Sequence, residues 1–149
     1  MEYARRVGMR LEMGVAAGYR ARMTAFLLVF LGAGLGGVAR HGVNLGCARW
    51  CGVEFPWGTL AVNVVGSFAM GALVGWLAFK AGEGWSQNAR LFLATGVLGG
   101  FTTFSAFSLD AMLLWERGEA LAAAAYVGAS VVLSILALAG ALTIVRSLT

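Results

Sequence analysis

Apolar residues run in four long blocks separated by short polar connectors, at about 23–43, 57–79, 89–115 and 119–145. Each block reaches the roughly 20 residues that an α-helix needs to cross the hydrocarbon core. Trp57, Trp76 and Trp115 fall near block ends, where indole rings favour the membrane interface. The connectors read NLGCARWCGVEFP, KAGEGWSQN and ERGE, too short to build an extramembrane domain. The pattern predicts an all-α integral membrane protein with four transmembrane helices, whose work is done inside the bilayer.

Polar residues inside the blocks follow helical spacing. In the second block Asn63, Ser67, Gly71 and Gly75 recur every four residues and share one narrow stripe. Gly71 and Gly75 have the small-x-x-x-small spacing of helix packing. Asn63 needs more, because an amide facing lipid is costly and must meet a partner helix or a polar cavity; spacing leaves both readings open. The fourth block carries Tyr126, Ser130 and Ser134, again four apart. That is a weaker sign, since serines in membrane helices can bond to the preceding turn.

The third block is the informative one. Its stretch GVLGGFTTFSAFSLD, residues 96–110, sets paired glycines beside β-branched threonines, all poor helix formers. We expect this helix to be broken near mid-membrane, with the glycines permitting the break. A break is tolerated only where it is buried in protein or lines a cavity, and its freed carbonyls suit a cation such as Na⁺. Phe104 and Phe107 follow on one face. Ring edges carry the positive end of the aromatic quadrupole and can face an anion, although ordinary core packing accounts for most phenylalanines.

Composition agrees with a membrane protein: 149 residues, 60% hydrophobic, 12% charged, one proline. The net charge of +4 owes much to Arg5, Arg6, Arg10, Arg20 and Arg22. Basic residues beside a span report topology, so nucleic acid is not an expected partner. Residues 1–22 form an Arg-rich extension, distinct from a single four-helix transmembrane domain at 23–149. A signal peptide would end its short apolar core at a cleavage site, whereas here the apolar run continues as the first span. The extension reads as a transit peptide, a surface helix, or sequence ahead of a true start at Met23. From Met23 onward, Lys80, Arg90 and Arg146 fall on one side of the membrane and Arg40, Arg49 and Arg117 on the other. That tie gives the positive-inside rule no preferred orientation, and five more arginines would favour the N-terminus inside.

Cys47 and Cys51, with His41, cannot complete a four-ligand zinc site, and no disulfide is expected. The middle of no block holds Asp, Glu, Lys or Arg; Arg40 lies near the end of the first and Asp110 near the end of the third. Proton-coupled transport needs an ionisable group on the pathway. Amides, hydroxyls, ring edges and backbone instead solvate a small ion without trapping it, which suits passive conduction; an enzyme is not expected. Four short helices cannot both surround a pore and pack together, so an oligomer is needed.

These residues carry a resemblance. GTLAVNVVGSF in the second block and GGFTTFSAFS in the third resemble the two signature segments of the Fluc/CrcB fluoride channel family, and GGVAR at 36–40 is similar to its first-helix pattern. The resemblance covers about residues 23–145. It implies a dual-topology protein of the inner membrane, assembled as an antiparallel homodimer with two pores that let cytoplasmic fluoride escape. It also implies that Asn63, Phe104, Phe107, Tyr126, Ser130 and Ser134 line the pore and that Arg40 draws anions into a vestibule. The backbone carbonyls of Gly99 and Thr102 would hold a structural Na⁺ at the dimer centre. Ala106, Phe101 and Asp110 stand where the family often has threonine, leucine and glutamate.

Two rivals fit four spans. A small multidrug-type exporter would resemble proton exchangers with a glutamate in the first helix, but MTAFLLVFLGAGLGGVAR contains no acid. A non-transporting assembly subunit would not need Asn63 or the hydroxyl-rich break.

Overall fold

The computed structural model describes residues 2–79 and 87–148, with side chains from residue 18 onward. Helix α1 spans Glu2–Cys51, α2 Trp57–Phe79, α3 Gln87–Arg90, α4 Gly99–Phe101, α5 Phe104–Glu116 and α6 Ala120–Ser147. A π-helical segment, Leu91–Leu98, joins α3 to α4. Among the described residues four stretches are long and apolar enough to cross a membrane: Gly18–Cys51, Trp57–Ala78, Gln87–Glu116 and Ala120–Ser147. The chain is a multi-pass protein of the cell membrane. Lys80, and most of the connector that holds it, lie outside the described residues, as do the side chains of Arg5, Arg6 and Arg10.

The boundary expected at Met23 coincides with no helix end. At 50 residues, α1 is about 75 Å long, far more than the roughly 30 Å hydrocarbon core. Both α1 and α5 stop at the same membrane end by the same device. Gly52 and Gly118 each adopt φ 80°, a left-handed conformation that glycine enters without a Cβ penalty. At Gly118 the carbonyls left over by α5 are recovered, with Gly118 N–H bonding Trp115 at 2.9 Å and Glu119 N–H bonding Leu114 at 3.1 Å.

Packing sorts the spans into two parallel pairs, each fitted together through glycine. A Cβ on Gly32 would meet the Phe92 carbonyl at 2.7 Å and Gly96 Cα at 2.8 Å, and one on Gly36 would meet Phe101 N at 2.7 Å. Gly100 in turn lies against Ala33, whose Cα a Cβ would meet at 2.6 Å. The backbones of α1 and the third span therefore touch. On the other side Gly71 meets Leu138 and Ala141, and Gly75 meets Val145, seating α2 on α6. The packing role expected for Gly71 and Gly75 is thus what the structure shows.

The third span is broken near its middle, but not where the glycines stand. Gly99 keeps helical angles, φ −65° and ψ −37°. Extended backbone falls instead on Thr102 (φ −74°, ψ 158°) and Thr103 (φ −154°, ψ 122°). Gly96 and Gly100 serve close approach to α1, and the threonines carry the break.

Candidate functional site

The break frees backbone groups, and side chains recover them. Thr102 N–H and Thr102 Oγ1 both donate to the Leu98 carbonyl at 3.0 Å. Thr103 N–H donates to Asn63 Oδ1 at 2.9 Å, while Asn63 Nδ2 donates to the Thr103 carbonyl at 3.1 Å. The Asn63 amide thus pairs with both the N–H and the C=O of one residue, much as a neighbouring strand would. Thr103 Oγ1 accepts from Ala106 N–H at 3.2 Å and caps α5. Gly66 sits against the Thr102 methyl group, where any side chain would collide. The Thr102 carbonyl accepts from Arg40 Nη1 at 3.5 Å.

This last contact sets Arg40 beside the break, about 16 Å along α1 from its Cys51 end. The apolar block at 23–43 predicts Arg40 near a helix end; the helix continues to Cys51 and carries the guanidinium to mid-span. Its stability there follows from a carbonyl partner, as an intramembrane charge requires.

The Na⁺ expected on the Gly99 and Thr102 carbonyls is not upheld. The Thr102 oxygen already faces the Arg40 guanidinium, and a second cation beside it would meet like charge at low dielectric. Among the described residues no group of three or more His, Cys, Asp and Glu could hold a metal ion. No sodium is assigned to this site.

Beside the break lies an open groove of ≈ 360 Å³ between α2, α5 and α6. Asn63, Phe104, Phe107, Ser130 and Ser134 all border it. Its walls carry no formal charge. Phe107 is 9% exposed and Phe104 78%, their ring centroids 5.4 Å apart. Ser130 Oγ and Ser134 Oγ are buried and have no hydrogen-bond partner of good geometry. An unpaired buried hydroxyl is costly, so this wall has donors to offer.

Tyr126 does not border the groove. It is fully buried, wedged between Phe107 (5.4 Å between centroids) and Phe55 (5.6 Å, edge-on at 89°). Its hydroxyl donates to Asp110 Oδ2 at 3.3 Å. Asp110 and Phe55 border a second cavity, ≈ 320 Å³, at the membrane end where α1 and α5 stop, together with Asn44, Thr59 and Arg117. Sequence spacing missed this cavity. Its residues come from four separate segments, and only the charged, aromatic connector GVEFPWG hinted at a built structure there.

Fold and site together define a class: a small four-span membrane protein whose broken third span faces an uncharged, hydroxyl- and aromatic-lined groove. The model of the family described as CrcB-like protein, Camphor Resistance (CrcB), matches residues 27–142, and the chain belongs to that family. It is 58% identical to the fluoride-specific ion channel FluC of Granulibacter bethesdensis over 126 residues, 85% of this chain and 98% of that one. It is 55% identical to FluC 2 of Nitrobacter hamburgensis over 83% of this chain and 98% of the relative. FluC of Hyphomonas neptunium is 59% identical over 78% of this chain and 91% of its own length.

Proposed function

We propose that the chain is a fluoride-selective passive channel of the inner membrane that lets cytoplasmic fluoride escape, working as an antiparallel, dual-topology homodimer. The observation that carries the reading is the groove wall of Ser130 and Ser134, whose hydroxyls are buried without a well-formed hydrogen bond, on the same groove as the Phe104 and Phe107 rings. An anion leaving water needs the positive ends of dipoles around it, and O–H hydrogens and ring edges supply them without a fixed charge that would hold the ion. The relatives named as fluoride-specific channels supply the identity of the anion.

Several features support a dimer. Phe104 stands 78% exposed at the groove rim, so one chain leaves the path open on a side that a second copy would close. Counted from Met23 and with Arg40 aside, Lys80, Arg90 and Arg146 stand against Arg49 and Arg117, a near balance compatible with insertion both ways, whereas the five arginines of residues 1–22 would tip it toward the N-terminus inside. In this reading residues 23–149 form the channel domain, in line with the family match over 27–142, and residues 1–22 an extension of α1. Phe104, Phe107, Ser130 and Ser134 line the path. Asn63 borders it while holding the break, Arg40 fixes the break from α1, and Tyr126 closes one end.

The test is efflux from proteoliposomes loaded with potassium fluoride, triggered by valinomycin and read with a fluoride electrode, beside chloride-loaded vesicles. Fluoride should leave and chloride should stay. Phe104→Ile should stop fluoride release while the dimer elutes unchanged. A verified dimer that releases no fluoride would refute the reading.

A further inference from the structure

The groove and the end cavity are separated by one layer of aromatic side chains. Phe107 borders the groove, Phe55 borders the cavity, and Tyr126 fills the space between them. Tyr126 has its ring between Phe107 and Phe55 and its hydroxyl on the Asp110 carboxylate, with the Thr59 and Ser130 hydroxyls close by. Three of these contacts, Phe107, Asp110 and Phe55, come from the α5 side and the connector. The first two ride on α5, a helix fixed by its Thr103 cap and its Gly118 terminus. Phe55 alone rides on a connector.

That connector is built to be held still. Trp57 N–H closes a tight turn on the Phe55 carbonyl at 2.8 Å, and the Trp57 and Phe55 rings lie 4.5 Å apart. Arg117, from the turn between α5 and α6, reaches across the membrane end. Its Nη2 donates to the Glu54 carbonyl at 3.2 Å and its Nη1 lies 3.8 Å from Glu54 Oε2. An exposed ion pair contributes little to global stability, so a guanidinium spanning two connectors is better understood as a pin on the loop than as a stabiliser of the fold.

We propose that Phe55 is a positioning residue for selectivity: held by Arg117, it keeps Tyr126 seated against Phe107 and so sets the width of the wall between groove and end cavity. The proposal rests on the channel reading above. Removing the Phe55 ring leaves a void on one face of Tyr126, into which the phenol can swing, since packed rings keep their places only while their neighbours fill space. A widened wall admits an anion larger than fluoride.

The experiment compares wild type, Phe55→Ala, Phe55→Trp and Arg117→Gln in vesicles loaded with potassium fluoride or potassium chloride, each assayed as a dimer verified by gel filtration. Phe55→Ala should keep fluoride release and raise the chloride-to-fluoride ratio about tenfold. Arg117→Gln should shift the ratio the same way by less, and Phe55→Trp, which keeps the gap filled, should stay selective. Arg117→Gln leaves every aromatic ring in place, so it tests the proposal even if Phe55→Ala does not assemble. Wild type that excludes chloride beside Phe55→Ala or Arg117→Gln channels that exclude it equally well would overturn the Phe55 assignment and leave the channel reading standing. Wild type that releases no fluoride would overturn both.

Discussion

Two walls of one groove treat their polar atoms in opposite ways. On the wall formed by the break, the N–H and C=O groups of Thr102 and Thr103 all have partners, supplied by Leu98, Asn63 and Arg40. On the α6 wall, Ser134 Oγ is buried with none, and Ser130 Oγ has only a loose approach to the Tyr126 hydroxyl. A polar group with a fixed partner holds shape, and one without is free to meet a passing ion. The break is therefore scaffold, and α6 is the surface that can do chemistry.

The largest effect should come from attacking the scaffold. Asn63→Ala removes the partners of both the Thr103 N–H and the Thr103 carbonyl, and each orphaned group costs ~1–3 kcal/mol. A sharp fall in thermal unfolding temperature is expected in detergent. Asn63→Asp should be no better, because a carboxylate still accepts from Thr103 N–H but cannot donate to its carbonyl. An Asn63→Ala protein that unfolds like wild type would erase the distinction between the two walls.

Next in size is Gly36→Ala. The new methyl would meet Val97 and Phe101 backbone, atoms that cannot rotate away, so α1 must part from the third span. Overpacking of this kind costs ~1–3 kcal/mol. Gly37→Ala, one residue along with open space around it, should unfold at or slightly above the wild-type temperature, because alanine is the better helix former.

The same contrast explains how much could be read from the chain. Spans two and four were legible because their apolar blocks are uninterrupted and their ends carry Trp57 and the ERGE turn. The break was legible too, since threonines and glycines cluster only there. Which residues carry it was not: local propensity gives Gly99 and Gly100 a share beside the threonines, whereas Gly100 answers to α1, a contact between residues 33 and 100 that no window of sequence contains. The contact that Arg40 makes is hidden for the same reason. An arginine near a block edge reads as a loop charge until its acceptor, 62 residues away, is known. The serine stripe on α6 was visible as spacing, but that its hydroxyls stay unpaired is a property of the packed helices alone.

The smallest effect on stability should fall on that stripe, and its sign should reverse. Ser130 is 4% exposed, so Ser130→Ala removes a buried hydroxyl without a well-formed hydrogen bond and should leave stability unchanged or raise it by up to ~1 kcal/mol. Fluoride flux should nevertheless fall, by roughly fivefold if one hydrogen bond of ~1 kcal/mol to the ion is lost at the rate-limiting position. Ser134→Ala should repeat the pattern. Stability and flux then move in opposite directions on α6 and in the same direction at Asn63. A Ser130→Ala channel that loses stability together with flux would mean that this hydroxyl has a structural partner, and the α6 wall would be scaffold as well.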